Sequence, residues 1–511
     1  MQQESQTSNN KRIAKNTLLL YIRMFFIMAV SLYTSRVVLQ VLGVEDFGIY
    51  NVVGGIIAML GILNGSMSVS TQRYLTFELG RGDMTKLKQT FSVCLSIFVI
   101  IALITVLLAE SVGIWFLNTQ LTIPDNRIVA ANWVFQFTII SSVFNLLVTP
   151  YNASIIAHEK MDVYAYLSIL DVVLKLAIVY VLTIFNMDKL VLYGFLLMLL
   201  FVLDTLIYMI YCYKHYSETK YQFYWDKALF KQIGAYSFWN LFGSLAALAK
   251  GQGLNILLNI FFTPTVNAAR GIAYQVNGVV SQFFMNFFTA VRPQITKYYA
   301  QNDLSNMFSL IFRSSKFAYY LILLISLPIY IEAPFIINLW LGQLPEYTVE
   351  FVRLVIVVTA IDSTSNPMMT TAHATGRIKL YQSLVGILII LNIPISYVVL
   401  KLGGTPISVF VISIMLSTIA FFVRIWIVKR LITSFPVKDY LVKVCGTIMA
   451  VTIAAAVVPC VYHLYFELDL VTSILNCLLC LLFTVLAVYF VGMNKGERSF
   501  IVNAIKNKIH K

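Results

Sequence analysis

Charge is scarce in this chain. Asp, Glu, Lys and Arg make up 12% of 511 residues against 59% hydrophobic, with a mean hydropathy of +0.81. A chain so composed cannot hide its apolar surface in a soluble core, so it is a polytopic membrane protein. Acidic residues are scarcer than basic ones, 23 against 37, a net charge of +14. The basic excess sits in short loops between apolar runs rather than on one soluble face, which excludes nucleic acid as a partner. The six cysteines, Cys94, Cys212, Cys445, Cys460, Cys477 and Cys480, lie in or at the ends of apolar runs. They make no disulfide framework and no metal site, and Cys477 and Cys480 in NCLLCLL are two small apolar residues on one helical face. The five histidines (His158, His215, His373, His463, His510) are scattered. With no gathered acid, base or nucleophile the chain does not read as an enzyme, and no cofactor is expected. No cleavage signature precedes the first apolar run, so that run is expected to be a retained helix behind a frayed, polar start.

What the chain does have is fourteen apolar runs. They cover roughly 17–42, 48–72, 89–117, 128–150, 163–185, 190–213, 232–262, 268–290, 307–341, 350–371, 380–400, 406–428, 441–465 and 470–492. About 20 residues at ~1.5 Å each cross a ~30 Å hydrocarbon core, so each run is long enough to span a bilayer. Assigning the loops alternately to two sides puts 25 Lys and Arg on the side of the N-terminus and three, Arg127, Lys189 and Lys401, on the other. That bias predicts an even number of spans with both termini cytoplasmic. The outer loops are short; Asn118 to Arg127 is among the longest. No outer domain is left to hold an active site.

An internal repeat is visible. Arg73, followed by ELGRGDMTKL, has a counterpart in Arg292, followed by KYYAQNDLSNM, and PYNASIIAHEK from Pro150 has one in PMMTTAHATGR from Pro367. Two landmarks at nearly one offset, across six spans, predict a parallel repeat. The expected organisation is a disordered cytoplasmic start (1–12), a six-helix lobe (13–213), an amphipathic surface linker (214–231), a second six-helix lobe (232–428), two extra helices (429–492) and a basic tail (493–511). The fold class is thus an all-α membrane protein whose two lobes surround a central cavity.

Ionisable residues inside spans mark candidate functional sites. Counting from the outer corners at ~1.5 Å per residue places Lys250, Asp171, Asp204 and Asp362 near mid-bilayer, with Glu110, Lys175 and Arg36 nearer the outer side. Asp171 and Asp204 should face each other in adjacent helices. Asp171 and Lys175, at i and i+4, read as an ion pair, and all four of Asp171, Lys175, Asp204 and Asp362 are candidates for ion coupling or pairing. Arg23, Arg313, Lys316 and Arg424 read as interfacial side chains that snorkel. Arg270, Tyr274, Asn277 and Ser281 form a polar stripe at i, i+4, i+7 and i+11, and Gln252, Asn255 and Asn259 a second. Gly243, Ala246, Lys250 and Gly253 form a small-residue face beside it, with room for a ligand. Such stripes pack helix on helix or line water, and Lys250 and Arg36 either enter a cavity or pair with a buried carboxylate.

The opening RVVLQVLGVEDFGIYNVV, the segment STQRYLTFELGRGD, the PYNASIIAHEKMDVYAY segment and the six-plus-six-plus-two count resemble bacterial polysaccharide flippases of the Wzx type. These belong to the multidrug/oligosaccharidyl-lipid/polysaccharide exporter superfamily. The resemblance implies a bacterial inner-membrane protein that moves undecaprenyl-pyrophosphate-linked glycan to the periplasmic leaflet by alternating access, among membrane lipids and in concert with a polysaccharide polymerase and glycosyltransferases. It also implies a cationic cavity, for which Arg36, Lys250 and Arg270 fit by span and depth, with Tyr274, Asn277 and Asn255 as further substrate contacts. The competing expectation is a multidrug/cation antiporter of the same superfamily.

Overall fold

The computed structural model describes residues 2–121, 123–185, 187–262, 264–342, 345–466 and 469–499. These residues are almost wholly helical, and no strand occurs among them. In lipid a helix satisfies every backbone polar group within the segment itself, which is why apolar runs of this length fold this way. In chain order the helices are α1 (Gln2–Arg81), α2 (Met84–Thr119), α3 (Asp125–Ala157), α4 (Met161–Ile184), α5 (Lys189–His215), α6 (Lys227–Phe261), α7 (Pro264–Ala300), α8 (Leu304–Ile331), α9 (Ala333–Leu341), α10 (Thr348–Thr375), α11 (Lys379–Lys401), α12 (Pro406–Leu431), α13 (Val437–Tyr465) and α14 (Leu470–Gly492). Helix α1 is two helices joined at a kink, where Gly43 adopts φ 81°, ψ 168°.

Helix occupies each of the fourteen expected stretches. Eleven helical stretches among the described residues are long and apolar enough to cross a membrane. The three below that threshold, 48–72, 268–290 and 350–371, carry the rows of Asn, Ser and Thr that dilute their hydropathy.

Several boundaries differ from expectation. The run 307–341 breaks at Glu332, since Pro334 in the first turn of α9 has no N–H to continue the preceding helix. Helix begins at Gln2, where disorder was expected: the Gln- and Glu-containing start has no Gly or Pro and extends a helix already nucleated by the span behind it. The segment 214–231 is not an amphipathic helix but a short 3₁₀ turn, Ser217–Thr219, and extended chain up to α6. The buried Glu218 accounts for this, because its carboxylate turns inward to His158 Nε2 at 2.6 Å and to the Ser154 hydroxyl at 3.3 Å. Burial by itself would raise the Glu218 carboxyl, but His158 holds it below its ordinary range. The basic tail lies outside the described residues from 500 onward.

The chain divides into two compact units, Met1–Ser244 with Arg292–Asn302, and Leu245–Val291 with Asp303–Lys511. The cuts fall inside α6 and α7, not at a linker. In the first unit α3 packs between α1, α2 and α5 around Val134, Phe135, Leu117 and Leu190. Helices meet closely there: a Cβ on Gly113 would stand 2.7 Å from the Phe135 ring. Arg127 ties interhelical corners together, bonded to Asp46 at 2.6 Å and Asp188 at 2.5 Å. In the second unit the core runs through Leu254, Leu258, Ala273, Phe351, Val355 and Phe410, with Phe351 and Phe410 stacked at 4.3 Å. Helices α13 and α14 belong to this unit and pack on α8.

Local geometry repeats with the sequence. Gly82 (φ 74°) and Asn302 (φ 58°) turn the chain, and the following Asp83 and Asp303 each cap a helix, accepting from Lys86 N–H and Asn306 N–H. Pro150 and Pro367 each sit inside a helix, with the left-handed Glu159 and Gly376 just beyond its end, 217 positions apart.

Candidate functional site

The second unit encloses a cavity of about 320 Å³ bordered by α6, α7, α10, α11 and α12. Three charged side chains line it, Lys250, Asp362 and Arg424, with a polar wall of Tyr274, Asn277, Ser281, Thr359, Asn392 and Ser413. The helical period explains the α7 contribution, since Tyr274, Asn277 and Ser281 fall on one face. Asn277 Oδ1 accepts from the Thr359 hydroxyl and, at 3.3 Å, from Ser281. Across the cavity Asn392 Nδ2 donates to Ser413 Oγ at 2.9 Å, and its Oδ1 accepts from Ser396 at 3.1 Å.

Asp362 is paired with Arg424, Oδ1 to Nη1 at 3.3 Å. The Arg424 side chain is 12% exposed and also lies within electrostatic reach of the Tyr381 hydroxyl. Arg424 therefore does not snorkel to headgroups as expected; the carboxylate on the neighbouring α10 draws it into the cavity wall. Lys250 has Asp362 within electrostatic reach, yet makes no hydrogen bond or ion pair with a described residue. With one carboxylate against two cations, the lining carries a net positive charge.

The remaining expected residues divide. Arg270 lies beside this cavity but is engaged by α6: its guanidinium donates to Gly251 O at 2.6 Å and Asn255 Oδ1 at 3.2 Å, and stands 4.5 Å from the Tyr274 ring centre. Asn255 is thus a brace for Arg270. Gly253 does not leave room for a ligand, because a Cβ there would meet Ile393 at 2.7 Å; Ala247 and Gly251 border the cavity instead. Arg36 belongs to the first unit, where it is exposed.

The first unit holds its own intramembrane cluster. Lys175 Nζ is 2.8 Å from Asp171 Oδ2, and Asp204 on α5 lies within electrostatic reach of both. The other Asp171 oxygen is buried without a partner. Arg23 stands 4.4 Å over the Tyr164 ring and bonds its hydroxyl at 3.2 Å. Of the other side chains expected at the interface, Lys316 is 3.1 Å from Glu497 and Arg313 bonds Ser309.

Sequence reasoning missed Arg424, Thr359, Asn392 and Ser413. The i, i+3 spacing of Thr359 and Asp362 was a usable signal; the pairing of α10 with α12 was not.

No family model matches the sequence, and no curated protein matches it. Solved structures do. An outward-facing multidrug resistance MATE family transporter of the MOP superfamily superposes with a TM-score of 0.71 at 13% identity, over 83% of this chain and 97% of that one. The MATE transporter ClbM in complex with Rb+ gives 0.67 at 13%, over 81% and 94%. A MOP superfamily transporter from Pyrococcus furiosus Vc1, whose binding pocket is described as reversed in polarity and as suggesting a different function, gives 0.64 at 13%, over 82% and 96%. At such identities the likeness is one of architecture, and this chain has the fold of MATE-type transporters of the MOP superfamily.

Proposed function

We propose that the protein is a transporter working by alternating access, and that its cargo is a lipid-linked anionic glycan, an undecaprenyl-pyrophosphate-linked oligosaccharide moved to the outer leaflet of a bacterial inner membrane for surface polysaccharide synthesis. The observation that carries this reading is Lys250, a cation without a partner among the described residues in a polar cavity of net positive charge. A pyrophosphate cannot cross hydrocarbon unaided, because its desolvation costs many kcal/mol, but an ammonium with hydroxyl and amide donors around it replaces hydration. Asn277, Thr359, Ser281 and Tyr274 supply such groups beside Lys250.

The Asp171–Asp204 pair gives the antiporter reading its own support, since two carboxyls in one cluster with Lys175 inside membrane spans are suited to exchange a proton with a gradient. In the flippase reading the same pair couples transport to protons. Gene deletion separates the two: a flippase leaves lipid-linked oligosaccharide on the cytoplasmic leaflet and loses a surface glycan, whereas loss of drug or dye efflux alone establishes the antiporter. A phosphatase fused at Lys511 stays silent if both termini are cytoplasmic, and an active fusion overturns that topology.

A further inference from the structure

The junction of α8, α13 and α14 in the second unit holds a buried carboxylate that the cavity around Lys250 does not use. We propose that Glu332, Asn476 and Ser473 bind a monovalent alkali cation there, which fixes the two extra helices to the lobe. Glu332 ends α8, and α13 and α14 pack on α8 and on each other. Glu332, Ser473 and Asn476 are each 1% exposed. Glu332 Oε1 accepts twice, from His463 Nδ1 at 2.8 Å and from Asn476 Nδ2 at 2.6 Å. Its other oxygen, Oε2, is buried with no hydrogen-bond partner among the described residues, and so are Asn476 Oδ1 and the Ser473 hydroxyl oxygen.

A carboxylate only accepts, so Asn476 must offer Nδ2 to Oε1, and its Oδ1 is left as an acceptor beside the same carboxylate. Ser473 precedes Asn476 by three residues, which puts both on one face of α14. That face is the buried one: between Leu470 and Ala487 the buried residues are Ser473, Asn476, Cys480, Thr484 and Ala487. The polar side of an otherwise apolar helix is thus turned to the protein, with oxygens that no described residue satisfies.

A buried acceptor left unpaired costs free energy, and half of a buried carboxylate left bare costs more. A proton on Oε2 would donate to only one of the two neighbouring oxygens. A cation takes lone pairs from all three, and one positive charge cancels the one carboxylate. Protonating His463 cancels the charge but leaves Oε2 bare, because the ring already faces Oε1. Arg353, which caps the same end of α8, donates to the Tyr330 and Ile331 carbonyls at 2.9 and 3.3 Å, and no ion pair joins it to Glu332. Among the described residues no three His, Cys, Asp or Glu gather as a metal ligand set, which argues for a hard ion held by neutral oxygens and one carboxylate. A divalent ion would bring more charge than that carboxylate offsets. Ions reach the site past His463, whose side chain is 23% exposed. The proposal goes beyond the transport reading and does not depend on it.

The full-length protein in neutral detergent is titrated with sodium chloride, with choline chloride holding the ionic strength constant, and binding of radioactive sodium is read beside Tm. The expected result is saturable binding and a Tm that rises with it, as for any ligand that binds only the folded state. Glu332→Gln keeps the shape and removes the charge, and weakens binding about tenfold or more; Ser473→Ala weakens it about threefold or more. Potassium is run in place of sodium, and binding of either ion supports the site. Asp171→Asn is run in parallel because the first unit has intramembrane carboxylates of its own, and it is expected to bind sodium as the unmodified protein does. Should Glu332→Gln not fold, Ser473→Ala, which removes a single hydroxyl, carries the test. The proposal is overturned by any of four results: no saturable alkali-ion binding, undiminished affinity in the Glu332 variant or its Ser473 substitute, binding lost in Asp171→Asn instead, or a Tm that follows pH and not sodium.

Discussion

Replacing Lys250 separates a structural ion pair from a cargo contact. If the ammonium compensated a buried carboxylate, Lys250→Ala would orphan that carboxylate and cost about 3–5 kcal/mol. The structure says otherwise: Asp362, the carboxylate in reach, is already paired with Arg424 at 3.3 Å and would not be orphaned. Lys250→Ala should therefore change stability by no more than about 1 kcal/mol. Its effect should appear on the cargo instead. One charge-assisted hydrogen bond to phosphate contributes about 1.5–3 kcal/mol, so affinity should fall roughly 10- to 150-fold in Lys250→Ala and Lys250→Gln. Lys250→Arg keeps the charge on a longer, planar head and should retain partial function. Expression, thermal unfolding in detergent and surface glycan display are measured side by side for the three variants. Full glycan display by Lys250→Ala refutes the cargo contact, and a loss of several kcal/mol in stability refutes the reasoning about Asp362.

Three further outcomes follow from pairs elsewhere. Asp362→Ala leaves Arg424, whose side chain is 12% exposed, without its carboxylate; with Asp362 itself 40% exposed, the expected cost is about 1–3 kcal/mol, and an unchanged Tm refutes the pairing. Glu159→Gln removes a carboxylate 1% exposed that takes both Arg12 and Lys297, so unfolding should come earlier by about 3–5 kcal/mol, and a wild-type Tm would contradict it. Asp188 is raised by burial but held lower overall by Arg127 and by the Val191 and Leu190 N–H groups. A carboxyl depressed in the folded state adds stability that is complete above the ordinary carboxylate range and lost as pH falls through its folded value. Tm measured from neutral pH down to about 3 should fall at the acid end, less steeply in Arg127→Gln, and parallel curves for the two proteins would refute the assignment.

Much of this fold is legible in the amino-acid order because its causes are local. Length and hydropathy place a helix over each apolar run, since a backbone in lipid has few other ways to satisfy its own polar groups. The turns are as local: Gly82 before Asp83 and Asn302 before Asp303 combine a left-handed residue with a capping carboxylate, and each ends one helix and starts the next. The face shared by Tyr274, Asn277 and Ser281 follows from the helical period alone. The local arguments failed where a long-range contact outweighed propensity, as in the segment 214–231, which Glu218 draws to His158 instead of into a helix.

Which buried charges meet was decided by tertiary structure. Asp362 and Arg424 lie on α10 and α12, 62 positions apart, and Thr359 reaches Asn277 across 82. Glu159 gathers Arg12 and Lys297 from opposite ends of a long stretch of chain. A single helix shows which residues share a face but not the rotation or the neighbour with which that face docks, and those are set by the packing of all helices together. So the stripe on α7 could be read in advance, while the choice between Lys250 and Arg424 as partner of Asp362 waited on how α6, α10 and α12 come together.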